Sequence, residues 1–277
     1  MNPFLFVTAN EHEKAAFEKY YKCDTKESIK GKRYFLGQFG IYKAAYIHIN
    51  EQGTTNPAAT MLVGELVRLL KPVAVVMVGI AFGANRKVQK IGDVLVSKLI
   101  LPYDSQKFLK DRIHYKEAPK EVGFQLLNAF SDTDDWKYQV SDEQTSTVFL
   151  GSILTGSKLI DNYTYRSQLL KDFEEYKPIG GEMEAAGIYS VCRLHGVSEW
   201  IIIKSICDWG YRKNTPRTNK EHDQAIAANA AASFCNHIFS MDVFQYLIEE
   251  TTKNVQSLTN VSNTINIERM VGNINLR

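Results

Sequence analysis

Val73-Ala74-Val75-Val76-Met77-Val78, followed directly by Gly79-Ile80-Ala81-Phe82-Gly83, is the stretch on which the architecture turns. Six apolar, mostly β-branched residues in a row are too few for a buried helix. They suit a strand covered on both faces, which in practice means a central parallel strand. Upstream, Thr54-Thr55-Asn56-Pro57 opens a helix that runs to Leu70, because a hydroxyl or amide cap with proline in the first turn fits a helix start, and Pro72 ends it. Further back, Phe4–Thr8 reads as a first strand, Glu11–Tyr21 as a helix, and Tyr34–Phe39 with Lys43–Ile49 as a strand pair around Gly40-Ile41-Tyr42.

Downstream, Gly92-Asp93 leads into a strand over Val94–Leu99, and Leu101–Tyr115 is charged and irregular, expected to be a surface loop with a lid role. Glu121–Phe130 has helical spacing, Thr147–Leu154 and Ile201–Ile206 are further strands, and Met183–His195 is a helix closed by Gly196. Ala225–Glu249 reads as one long alanine-rich helix. This alternation predicts an α/β fold: three layers, with a mostly parallel central sheet flanked by helices. The expected domain covers residues 1–249 and is followed by a short C-terminal tail, 250–277. That tail is Asn-rich, and Asn263-Thr264-Ile265-Asn266-Ile267 and Gly272-Asn273-Ile274-Asn275-Leu276 alternate polar and apolar residues. Such segments either stay disordered or add as strands to another copy or a partner.

The chain has 277 residues and a net charge of +2, from 33 basic and 31 acidic residues. That balance argues against polymeric nucleic acid as a partner but allows a local basic pocket. No apolar run approaches the ~18 residues of a spanning helix, and the N-terminus lacks signal-peptide features. Cys23, Cys192, Cys207 and Cys235 lie 169, 15 and 28 positions apart, a spacing that supports neither a metal site nor a disulfide framework. The expectation is a cytoplasmic, reduced protein without metal or cofactor.

Gly151-x4-Gly156-Ser157-Lys158 approaches a phosphate loop, but Ser and Lys stand in the wrong order. Three carboxylates are better placed: Glu13 just past the first strand, Glu184 at a helix start, and Asp208 at the end of the strand from Trp200. In an open α/β sheet all three fall at the carboxyl edge, where ligands bind. Each alone could equally be a helix-start or turn residue.

Gly180-Gly181-Glu182-Met183-Glu184-Ala185-Ala186-Gly187, followed 14 positions later by Ile201 to Asp208, resembles the purine nucleoside phosphorylase / methylthioadenosine nucleosidase superfamily. So do Ala9-x-Glu11-x-Glu13, Val78 to Gly83 with Gly92-Asp93, and Gly151 to Gly156, so that the resemblance covers roughly residues 4–245. Ile-Cys-Asp-Trp at 206–209, with the alanines downstream of Gln224, looks closest to nucleosidase-like domains of bacterial antiphage and fungal immune proteins.

The resemblance implies that Met183 and Glu184 hold the ribose, that Asp208 protonates or hydrogen-bonds N7 of a departing purine, and that Glu13 activates water. It also places Gly79, Ile80, Ala81 and Phe82 against the substrate, and Leu159 and Ile160 in the base pocket, where the family usually has Phe at the first position. No cation precedes the Gly-rich segment, and a glutamate at position 13 repels phosphate, so hydrolysis is expected over phosphorolysis. Arg86, Lys87, Lys90 and Lys204 are either solvated charges or candidate contacts for a 5′-phosphate. The implied partner is a nucleoside or nucleotide, ATP among the candidates. The chain is expected to act as a homo-oligomer, with the tail as the contact for a defence-system partner. A silent nucleotide-sensing assembly module is the alternative.

Overall fold

The structure is a computed structural model and describes residues 2–49, 57–110, 112–212 and 219–249. The first half contains β1 (Phe4–Thr8), α1 (Glu11–Phe17), β2 (Tyr21–Ile29), β3 (Lys32–Phe39), β4 (Tyr42–His48), α2 (Pro57–Leu70), β5 (Val75–Gly83) and β6 (Val94–Pro102). Then come β7 (Gln106–Phe108), β8 (Ile113–Tyr115), β9 (Lys120–Glu121), α3 (Phe124–Ser131), β10 (Gln139–Ser141) and β11 (Gln144–Thr145). The last part holds β12 (Val148–Thr155), α4 (Tyr163–Asp172), β13 (Pro178–Glu182), α5 (Ala185–His195), β14 (Trp200–Asp208) and α6 (Lys220–Phe239). The expected tail, 250–277, lies outside the described residues.

One large sheet runs in the order β13-β12-β6-β14-β5-β1-β4-β3-β2, with β9 added against β6. Parallel pairings join β1 to β4 and β5, β5 to β14, and β12 to β6 and β13. Antiparallel pairings lie between β14 and β6 and outward through β3 and β2. β13 also turns back onto β5, with Gly180 opposite Gly83 and Gly181 opposite Phe82, so one end of the sheet curls on itself. Small residues at that seam let two backbones meet. α1, α3 and α6 pack as one group against the sheet, while α2 and α5 pair as another.

The strands β5 and β14 are buried almost throughout, which explains their unbroken apolar sequence. Where β1 meets α1, β3 and α6, the core is aromatic: Phe6, Phe17, Phe39 and Phe239 stack or meet edge to face, Phe17 and Phe39 with centroids 4.6 Å apart. Among the described residues no helix is long and apolar enough to cross a membrane.

Several boundaries differ from the sequence expectation, for physical reasons. The central strand does not stop at Val78 but continues to Gly83, carried through the glycine segment by pairing with β14. β2 is an extra, largely exposed strand, and its polar surface hid it. The segment expected to be an irregular loop holds the end of β6 and a hairpin of β7 and β8. The hairpin is tied down where the Tyr115 hydroxyl donates to Asp172 at 2.7 Å. The alanine-rich helix ends at Phe239 instead of running to Glu249. Past that point the Tyr42 hydroxyl donates to Met241 O at 2.9 Å and accepts from Phe244 N–H at 3.0 Å, which turns Phe244 back onto Phe4 and Phe239.

Candidate active site

An open cleft lies at the carboxyl edge of β1, β5 and β14, and Glu13, Glu184 and Asp208 all face it. Its floor is built around Lys204, a charged residue in the middle of β14 that is 0% exposed. The ammonium lies 3.2 Å from Glu184 Oε2, 3.5 Å from Glu13 Oε1 and 4.0 Å from Glu182 Oε2. A lysine so deep in a sheet persists only when paired, and here three carboxylates pair it. The expectation that Lys204 extends a basic patch toward a 5′-phosphate is therefore corrected. Its charge is spent inside the floor, because both faces of β14 are covered.

Glu13 is held rigidly. Its carboxylate completes the N-terminal capping box of α1: the Asn10 side chain accepts the Glu13 N–H at 3.0 Å, and Glu13 Oε2 accepts the N–H groups of Ala9 at 2.6 Å and Asn10 at 3.3 Å. Oε1 accepts the Ile80 N–H at 2.9 Å across the gap to β5. That approach depends on Gly79, where any Cβ would collide with Glu13 Oε1 and the Lys204 ammonium. Of the four acceptor positions of a carboxylate, three are taken by backbone amides. The fourth is left for the ammonium or a water. The helix-start role that the sequence offered as an alternative for Glu13 is thus present, and it fixes the group at the cleft instead of removing it.

Glu182 and Glu184 divide the work at the start of α5. Glu182 Oε2 accepts the N–H groups of Glu184 at 2.9 Å and Ala185 at 3.0 Å, and so neutralises the helix N-terminus. Glu184, the N-cap residue by position, makes no side-chain cap bond, and its carboxylate turns to Lys204. Met183, between them, lines the cleft. Burial pushes the Glu13 carboxyl up from its ordinary value; Lys204 opposes this, and Glu184 adds to it. Burial and the Glu184 charge push Glu182 up to about 7. Burial works against the Lys204 charge, but Glu13, Glu184 and Glu182 outweigh it and hold the ammonium above the usual lysine range. The floor is a locked group of one cation and three carboxyls.

The opposite end is built differently. Asp208 ends β14 just past a register shift against β5, and its Oδ1 accepts the Gly210 N–H at 2.7 Å. The Cys207 thiol lies 3.4 Å from Asp208 Oδ2 and 3.5 Å from Ala81 O. Ile80, Ala81, Phe82, Leu159 and Ile160 supply apolar wall. Ile160 is buried, whereas Leu159 is 66% exposed.

Arg86, Lys87 and Lys90 are exposed and do not line this cleft. Arg86 stacks over Trp209 at 5.2 Å and reaches the Tyr211 hydroxyl at 3.4 Å. Lys87 and Lys90 thus stand on the exposed surface outside this cleft, and Arg86 has an aromatic perch. The cleft also takes in Asn10, Glu182, Lys158, Cys207 and Gln224, none of which the sequence reading assigned. Only Glu182 carried a readable signal, as the first acid of Glu182-Met183-Glu184. Among the described residues no group of three or more His, Cys, Asp and Glu is arranged to hold a metal ion.

A buried carboxylate floor in one cleft with a strand-end aspartate can accept hydrogen bonds from the hydroxyl groups of a ligand. Residues 3–239 match the Phosphorylase superfamily, and the chain belongs to it. A death domain-containing ATP nucleosidase from Amphimedon queenslandica is 23% identical over 263 residues, covering 84% of this chain and 48% of its own length, so the chain spans about half of that relative. A DeoD-type purine nucleoside phosphorylase from Colwellia psychrerythraea is 26% identical over 173 residues, covering 62% of this chain and 68% of its own. Among solved structures, a 5′-methylthioadenosine/S-adenosylhomocysteine nucleosidase from Colwellia psychrerythraea in complex with adenine superposes with a TM-score of 0.71 at 19% identity, covering 86% of this chain and 94% of its own. That likeness shows the shared fold.

Proposed function

We propose that the protein hydrolyses the N-glycosidic bond of an adenine nucleoside or nucleotide. The observation that carries this reading is the floor itself, three buried carboxyls locked around one lysine in the cleft that Asp208 also lines. Glu184 takes the vicinal ribose hydroxyls, since one carboxylate can accept both protons of a diol. As the bond from C1′ to the base nitrogen lengthens, positive charge grows on the sugar, and carboxylates in a water-poor floor stabilise it. A water beside Glu13 gives its proton to that carboxylate while its oxygen bonds to C1′. The electrons of the broken bond go to the purine, where Asp208 delivers or shares a proton at N7.

Hydrolysis is favoured over phosphorolysis by charge. Among the described residues the cation lining the cleft is Lys158, which lies 3.2 Å from Asp104, while Lys204 is buried beneath the floor and held by three carboxyls. Among the described residues, an incoming phosphate dianion meets the Glu13 and Glu184 carboxylates with no unpaired cation lining the cleft. The base is taken as adenine because two relatives are named for adenine nucleosidases, and ATP is included because one of them is an ATP nucleosidase.

Chromatography of adenosine, 5′-methylthioadenosine and ATP after incubation, with and without phosphate, tests the reading. Adenine release at equal rates in both conditions is expected. Release only with phosphate, accompanied by a sugar 1-phosphate, would make the protein a phosphorylase. No release from any of the three, despite binding, would make it a sensor.

A further inference from the structure

α4 carries a buried arginine. Arg166 is 6% exposed and makes no ion pair among the described residues, although burying an unpaired charge is costly. Its Nη2 donates to Gly83 O at 2.7 Å and to Ala84 O at 2.5 Å, where β5 ends. Its Nε has no partner among the described residues. The guanidinium lies 5.6 Å from the centre of the Tyr211 ring, and its stem packs under Gly210, where a Cβ would stand 3.2 Å from Arg166 Cδ. Burial draws the guanidinium below its usual range, while the Tyr211 and Tyr163 hydroxyls and the Asp208 carboxylate work the other way.

Gly210 is the centre of this arrangement. It holds φ at 70°, a left-handed conformation that glycine adopts without strain. Its N–H is bound by Asp208 Oδ1 at 2.7 Å, and its C=O accepts the Asn162 N–H at 3.0 Å. Asn162 is the N-cap of α4, its side chain accepting the Tyr165 N–H at 2.9 Å. The turn after β14 is therefore pinned from two points of α4: at its carbonyl by Asn162, and on its underside by Arg166, which also grips the end of β5. A leucine of similar volume would fill the space. It would not tie the two strand ends together.

Building on the nucleosidase reading, we propose that Arg166 is a positioning residue for Asp208: by joining the carbonyls of Gly83 and Ala84 to the underside of Gly210, it fixes the turn whose amide aims the Asp208 carboxylate at the departing base. It touches no substrate; it acts through Gly210. Lysine cannot replace it fully, since one ammonium on a flexible stem does not reproduce a planar fork held against two carbonyls.

The test compares Arg166→Met and Arg166→Lys with the parent. In folded Arg166→Met, kcat for adenine release should fall about 30-fold with KM within threefold. Arg166→Lys should fall between, and added guanidinium should restore part of the Met variant's kcat. Amide exchange at Gly210 gives a readout that needs no turnover: it should quicken in both variants while the Ala185 amide, at the ribose end, stays protected. Parent kcat in either folded variant, or unchanged Gly210 exchange, would overturn the proposal. If Arg166→Met does not fold, the Lys variant decides alone by the same two measurements. A parent that releases no adenine defeats the nucleosidase reading, and Gly210 exchange then still reports whether Arg166 holds the turn.

Discussion

The two ends of the cleft hold their carboxylates by opposite means. At the floor, Glu13, Glu182 and Glu184 are buried and arrayed around the Lys204 ammonium, Glu13 and Glu182 clamped by backbone amides and Glu184 turned to the ammonium itself. At the far end, Asp208 is half-buried at the end of β14, its contacts include the Gly210 amide and the adjacent thiol, and the turn beyond it is supported from beneath by α4. The floor is an electrostatic device, in which each charge is tolerated only because of the others. The Asp208 turn is a mechanical one, in which a half-buried carboxylate is held by the turn that follows it. Removing one member of the floor should therefore disturb folding and chemistry together, whereas a change at Asp208 should disturb chemistry alone.

The largest expected effect is at Lys204. Lys204→Met strands three buried carboxyls, and breaking a buried ion pair by deleting one partner costs about 3–5 kcal/mol. Urea denaturation at pH 7.5 should show that loss together with abolished adenine release, and the deficit should shrink at pH 5 as the carboxyls take up protons. A variant less than about 1 kcal/mol weaker, with no pH dependence in the difference, would show that the floor is not bound together by its charges.

Asp208→Asn probes the other device. The amide oxygen of Asn can still accept the Gly210 N–H, so stability should stay within about 0.5 kcal/mol of the parent. Loss of the proton donor should nonetheless lower kcat by ~10²–10⁴. Parent turnover in the purified variant would remove Asp208 from the chemistry, and a large loss of stability would erase the contrast between the two ends.

The same contrast explains what could be read from the sequence. The strands were legible wherever burial on both faces forces unbroken apolar runs, as in β5 and β14, and with them the carboxyl edge on which Glu13, Glu184 and Asp208 stand. What was missed depends on partners distant in sequence. Lys204 read as a nearby cation because nothing local shows that Glu13 and Glu182 converge on it. The lone charge inside Ile201-Ile202-Ile203-Lys204-Ser205-Ile206 was nonetheless a sign of buried pairing. Arg166 lies in Tyr163–Asp172, a largely polar helix on which nothing marks one charged residue as buried. β2, exposed along most of its length, lacks the alternation that a half-buried strand would show.

The smallest expected effect concerns which floor carboxyl holds a proton, and it can be read from stability alone. Burial and the Glu184 charge raise Glu182 from 4.5 to about 7 in the folded protein. Between those values the folded state keeps a proton that the unfolded chain has already released. The folded state then binds more protons than the unfolded one, so this group's contribution to stability falls as pH rises through the window and levels off above it. Glu182→Gln stays uncharged at every pH and keeps one acceptor for the Glu184 and Ala185 amides. Near pH 4.5 the variant should be the weaker protein, having lost part of the helix cap. As pH rises toward 7 the difference should move steadily in the variant's favour, by an amount below that of either substitution above. Equilibrium unfolding at half-unit steps from pH 4.5 to 8 measures it. A difference that stays flat across the window would mean that Glu182 is ionised throughout and that its proton plays no part in the stability of the floor.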